Sequence, residues 1–122
     1  MLIRSYRDLL VWQEAMDLCV ECYRITTLLP KNETYGLVNQ IHRAAVSVPA
    51  NIAEGHGRDH LGDYLHHLSV ANGSRMELET HRLLLPRLSY LKSSELENAL
   101  RTSDEIGNML STLSKSLRKT TS

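Results

Sequence analysis

The chain has 122 residues, with 14 basic and 14 acidic side chains and a formal net charge of zero, which argues against coating nucleic acid through bulk charge, since such domains carry a marked basic excess. Hydrophobic residues at 42% and charged residues at 23% fit one globular domain over 1–122, long enough to bury a core without staples. Arg4, Arg7 and Asp8 break the N-terminal run, no apolar stretch nears a membrane span, and two cysteines lack a secretory context, so the expectation is a cytoplasmic protein with reduced thiols and no membrane association.

Prolines stand only at positions 30, 49 and 86, Phe is absent, and no run alternates in the manner of a strand. The period to follow is therefore 3.6. The first segment runs over about 6–29. Leu9, Trp12, Met16, Cys19 and Tyr23 fall on one stripe, with Ser5 or Asp8 as a start cap and Pro30 as the stop. Leu10, Val11, Leu18, Val20 and Ile25 lie off that stripe, which points to a second buried side against another subunit.

The second segment runs over about 33–56. Asn32 is the expected N-cap, with Glu33 in the first turn. Leu37, Ile41, Ala44, Val48 and Ile52 form its stripe. The stripe keeps phase across Pro49, so a continuous helix kinked at Pro49 is expected. Gly55 and Gly57 end it. The third segment, about 60–90, carries Leu61, Leu65, Leu68, Ala71, Leu78 and Leu85, with Pro86 near its end. The fourth, about 95–118, opens at Ser93-Ser94, where Ser94 and Glu97 read as a capping box. It continues through Leu96, Leu100, Ile106, Leu110, Leu113 and Leu117. Four such helices joined by short links predict an all-α, antiparallel up-down-up-down four-helix bundle.

The second segment holds another stripe beside the apolar one. Gln40, Arg43, Ser47, Asn51 and Glu54 recur at spacings of three and four, and Ser74, Glu77 and His81 offer partners on the third segment. Pairing about the Gly57 turn sets Arg43 opposite Ser74 and Gln40 opposite Glu77, with Arg43 in reach of Glu77. The expectation is a partly buried inter-helix network centred on an Arg–carboxylate pair. Such a network sets helix register; the sharper alternative is a ligand or active-site cluster.

The run Gln40-Ile41-His42-Arg43-Ala44-Ala45-Val46-Ser47-Val48-Pro49-Ala50-Asn51-Ile52-Ala53-Glu54-Gly55 resembles the signature of the 23S ribosomal RNA intervening-sequence protein family, also called the four-helix-bundle protein family. Further matches are Asp8 to Trp12, Leu29 to Leu37, Ala71 to Thr80 and Leu88 to Leu91. The resemblance implies an antiparallel four-helix bundle assembled as a homopentameric ring, with no established reaction. A related bundle, the accessory protein of diversity-generating retroelements, is a pentamer that binds nucleic acid through a basic surface.

Other constellations have blander readings. Cys19-Val20-Glu21-Cys22 sits in mid-helix, whereas a redox CxxC belongs at a helix N-terminus, so core packing is the reading. His60, Asp63 and His67 share a face without the further ligands of a metal centre, so no metal and no cofactor are expected. Arg75 and His81 match the Arg-x(4–6)-His spacing of HEPN-type ribonucleases, a spacing that six histidines produce readily by chance. Lys115, Arg118 and Lys119 are candidate nucleic-acid contacts that a ring would repeat as a basic rim; they also suit a helix C-terminus. The expectation is a non-enzymatic oligomeric scaffold or binding module with an RNA or protein partner. The alternatives are a nucleic-acid-binding ring and, third, a HEPN-like ribonuclease.

Overall fold

The computed structural model describes residues 3–119, and no strand occurs among them. Four long helices carry the fold: α1 Leu10–Thr26, α2 Leu37–His56, α3 Leu61–Arg87 and α4 Glu97–Lys119. Helix α1 packs on α2 and α4, and α3 packs on the same two. This closed circuit is the arrangement of a four-helix bundle. No helix among the described residues is long and apolar enough to cross a membrane.

The core is aliphatic. Val11, Ala15, Leu18, Cys22 and Ile25 face it from α1, and Ile41, Ala44, Ala45, Val48 and Ile52 from α2. Leu68, Ala71, Leu78 and Leu85 close it from α3, and Ala99, Ile106 and Leu110 from α4. The expected α2 stripe is the buried one, apart from Leu37, which is half-buried at the helix start. On α1 the expected stripe is out of phase. Leu9, Trp12 and Cys19 pack at the core's margin, while Met16 and Tyr23 are exposed. The small residues Ala15 and Cys22 complete the true stripe, and a search weighted to large side chains passes over them. Val11, Leu18 and Ile25, set aside in the sequence as a surplus face, are core.

Helix starts differ from expectation because 3-10 turns precede them. Tyr6–Asp8 form a 3-10 turn, capped by Ser5 Oγ accepting from the Arg7 amide at 3.0 Å. Lys31–Glu33 form another, and α2 starts only at Leu37. Asn32 is not its cap. The Glu33 carboxylate folds back, and Oε1 accepts from the Leu37 amide at 3.4 Å. Gly36 makes room, since a Cβ there would stand 2.7 Å from that oxygen. At Ser93–Glu95 the third 3-10 turn is closed by Glu95 accepting from the Lys92 amide at 3.0 Å, in place of the expected Ser94 box.

Both internal prolines lie inside helices. Helix α2 continues through Pro49, and Pro86 sits in the last turn of α3. That helix stops at Arg87. Ser89 turns into the left-handed region with φ 61, and the Tyr90 amide donates back to the Leu85 carbonyl at 3.0 Å. This is a Schellman-like stop made without glycine.

Candidate functional site

Two polar seams flank the core. In the α2–α3 seam the Ser47 and Ser74 hydroxyls meet at 2.8 Å. The Asn51 amide nitrogen donates to the Ser47 carbonyl at 2.8 Å and to Ser47 Oγ at 3.0 Å. Its Oδ1 stands 3.0 Å from His67 Nδ1. An amide oxygen only accepts, so His67 carries its proton on Nδ1. As α2 advances from Ser47 to Asn51, its partner retreats from Ser74 to His67, so these two helices run in opposite directions here.

Of the residues singled out in the sequence, Ser47, Asn51 and Ser74 come together, and His67 joins them. Gln40 and Arg43 are exposed and make no hydrogen bond or ion pair among the described residues. Glu54 pairs with Arg58, just past the end of α2, at 3.0 Å, and Glu77 with His81 within α3 at 3.1 Å. The proposed Arg43–Glu77 centre is therefore not formed, and Ser74 faces Ser47 where Arg43 was expected. The reason is spacing. One turn from Arg43 the short Ser47 and Ser74 side chains already meet at 2.8 Å, so the helices approach closely enough there to admit only short side chains between them. A long guanidinium-bearing chain there turns to solvent.

The α3–α4 seam was not anticipated. Arg75 Nε donates to Asn72 Oδ1 at 3.0 Å, and its Nη1 reaches Glu79 at 3.2 Å and the Ser103 carbonyl at 3.3 Å. The Ser103 hydroxyl also donates to Glu79, at 3.2 Å. Gly107 lets the guanidinium lie against α4; a Cβ there would stand 2.7 Å from Arg75 Cζ. About two turns along α3 from Arg75, Arg82 is fully buried, and none of its three side-chain nitrogens has a hydrogen-bond partner. Desolvation holds its pKa down, against the pull of nearby Cys22, Glu79 and Asp104. The signal was present in the sequence. Arg82 lies four residues past Leu78 and three before Leu85, so a charged residue sits in phase with an apolar stripe.

The cysteines are quiet. Cys22 is buried, and the Cys19 thiol donates to the Ala45 carbonyl at 2.9 Å. Burial raises Cys19 to about 12 and Cys22 to about 11. Neither offers a thiolate near neutral pH, so neither is equipped for exchange or metal ligation. Among the described residues no three His, Cys, Asp or Glu side chains gather as a metal site. Arg75 and His81 do not converge. Six residues at ~100° each set them roughly 120° apart, with Arg75 on α4 and His81 on Glu77.

Beside the α1–α2 contact, His42 stacks on Tyr23 with ring centres 3.8 Å apart and planes 5° from parallel. Thr26 Oγ1 donates to the Tyr23 carbonyl at 2.9 Å and meets His42 Nε2 at 2.8 Å. The threonine's single proton is already used, so His42 Nε2 is the donor. Outside this contact lie exposed apolar side chains at helical spacing. They are Met16 at 41%, Val20 at 70% and Tyr23 at 46% exposure on α1, with Val46 at 46% across on α2. The Cys19–Ala45 bond ties the two helices together one residue before Val20 and one before Val46.

Lys115 and Arg118 line a groove of about 240 Å³ between α3 and α4, while Lys119 lies at the last described turn. The profile of the 23S rRNA-intervening sequence protein family matches residues 7–112. The chain belongs to this family. The crystal structure of a protein of unknown function from the S23 ribosomal protein family of Bacteroides thetaiotaomicron superposes with a TM-score of 0.79 at 26% identity. The match covers 87% of this chain and 99% of that one. No curated protein matches the chain.

Proposed function

We propose that the chain is a non-enzymatic subunit of a cytoplasmic homo-oligomer, a ring of five copies as the family resemblance implies, serving as a scaffold or binding module. The observation that carries this is the exposed apolar stripe Met16, Val20 and Tyr23, continued onto α2 by Val46. A stripe at spacings of four and three is the face that a second helix packs into. Contiguous apolar surface of this kind marks association sites on otherwise soluble domains. The raised thiol pKa values and the divergence of Arg75 from His81 support a binding role over a catalytic one.

Sedimentation velocity on the wild type and on Val20→Glu tests this reading. A large species that dissociates on introduction of one carboxylate supports it. A wild-type monomer, or an oligomer indifferent to Val20→Glu, removes this face as the interface.

A second reading is favoured by a separate observation. Lys115, Arg118 and Lys119 fall together at the C-terminal end of α4, where a groove opens toward α3. In a neutral chain, such a local basic end can carry nucleic-acid binding that bulk charge cannot. Filter binding across a salt series tests it. Absence of binding at low salt ends it.

A further inference from the structure

We propose that the groove between the first half of α3 and the second half of α4 seats one nucleotide unit of a single-stranded nucleic acid. This rests on the nucleic-acid reading and assigns it a place. The groove has two distinct parts. Its floor is aliphatic, made by Leu65 and Leu68 of α3 and Leu110 of α4. Its rim is polar, with Ser111, Ser114, Lys115 and Arg118 from α4, and Ser69 and Asn72 opposite. Among the described residues no carboxylate lines it, although acidic residues number 14 in the chain.

The rim groups suit a phosphodiester. Lys115 and Arg118 are three residues apart and so share one face of α4 with Ser111 and Ser114. Two cations and two hydroxyls then line the same side of the groove over about 10 Å of helix. From α3, Asn72 uses its carbonyl oxygen on Arg75 and gives one amide proton to Met76 Sδ at 3.9 Å, which leaves its second amide proton to donate. The closest acid in sequence on α3 is Asp63, two residues before Leu65 and five before Leu68. At ~100° per residue it points away from the groove by roughly 140–160°. Asp104 lies on the α4 face toward Arg75, three turns before Lys115.

The size and floor decide which anion. About 240 Å³ holds roughly eight waters at ~30 Å³ each, more than a bare phosphate needs. A leucine floor gives an attached sugar or base somewhere apolar to lie. An unpaired strand offers the phosphodiester together with a base that can lie on that floor, whereas a duplex keeps its bases stacked inside and offers only its backbone. No aromatic ring lines the groove, so stacking selectivity is absent and the binding is sequence-tolerant and salt-sensitive.

The experiment is fluorescence anisotropy with a labelled oligouridylate on the order of ten nucleotides long, run at low salt and through a salt series. Two variants address the groove, Ser69→Glu and Lys115→Glu. Both positions are exposed, so folding is retained, as circular dichroism checks. Lys31→Glu makes the same charge change as Lys115→Glu in the loop between α1 and α2. Affinity falls by about tenfold or more in both groove variants, and the salt slope drops by about one in Lys115→Glu. Lys31→Glu binds as the wild type does. Equal weakening in all three variants, or none in the groove pair, overturns the groove while leaving the nucleic-acid reading in place. A wild-type protein that fails to bind the strand at low salt overturns both.

Discussion

The Tyr90 hydroxyl donates to Glu33 Oε2 at 2.8 Å, across 57 residues of sequence. The same carboxylate caps α2 through its other oxygen. One acid therefore ties the end of α3 to the start of α2, and Ser89's left-handed turn delivers the ring to it. The hydrogen bond and the neighbouring charge both raise the Tyr90 pKa. A raised folded value means stability present below the tyrosine's ordinary ~10 and lost as pH rises through the folded value. Ultraviolet titration should show two tyrosines ionising late, Tyr90 and the half-buried Tyr64, and Glu33→Gln should return one of them toward its fellows. Two late tyrosines persisting in Glu33→Gln would contradict the pairing.

Arg82 is a charge that the core does not satisfy. An arginine cannot discharge itself by losing its proton. Replacing an ill-paired buried charge by an apolar side chain of similar length is typically neutral or stabilising by about 1–4 kcal/mol. Arg82→Met should therefore raise the urea midpoint without changing the m-value. A loss of more than about 2 kcal/mol would mean that Arg82 has a strong anionic partner in solution.

Close approach of α2 and α3 rests on Gly55. A Cβ there would meet His67 Cβ at 2.7 Å, Tyr64 Cδ1 at 3.1 Å and the Tyr64 carbonyl at 3.3 Å. The backbone oxygen cannot rotate aside. Gly55→Ala gains about 1 kcal/mol of helix propensity but overpacks the seam by about 1–3 kcal/mol. Net destabilisation is expected in thermal unfolding, with the His67–Asn51 bond displaced. Gly73→Ala, where a Cβ meets nothing within 4 Å, should stabilise instead.

His42 titrates against the fold. Burial lowers its pKa, and its Nε2 proton is already committed to Thr26. A histidine with a lowered folded value contributes stability above its ordinary ~6.5, and that stability is lost as pH falls through the folded value. The urea midpoint should therefore drop between pH 7.5 and 5.5. In His42→Phe, which keeps a ring against Tyr23, the drop should be smaller. An identical drop in both proteins would assign the pH dependence to other groups.

Legibility followed side-chain size and distance along the chain. The α2 stripe of Ile41, Ala44, Val48 and Ile52 was readable because large aliphatics recur in phase. On α1 the stripe runs through Ala15 and Cys22, so larger outward residues such as Met16 and Tyr23 misled the phase. The α2–α3 seam was half readable. Ser47, Asn51 and Ser74 stood out as polar residues beside the core. Arg43 does not pair with Glu77 because the helices approach to serine-on-serine contact one turn away, a closeness that charge spacing in the sequence does not encode. Arg82 and Ser103 were passed over although each sits in phase with apolar neighbours. Glu33 as a cap needed the fold-back over Gly36, which no spacing rule describes.

Assembly through the Met16–Val20–Tyr23 face is the claim on which the functional reading stands. Multi-angle light scattering over a wide concentration range tests it most directly. The account predicts one stable species with five times the 13.8 kDa chain mass, reduced to a folded monomer by Val20→Glu. A wild-type protein that scatters as a monomer at every concentration would contradict it.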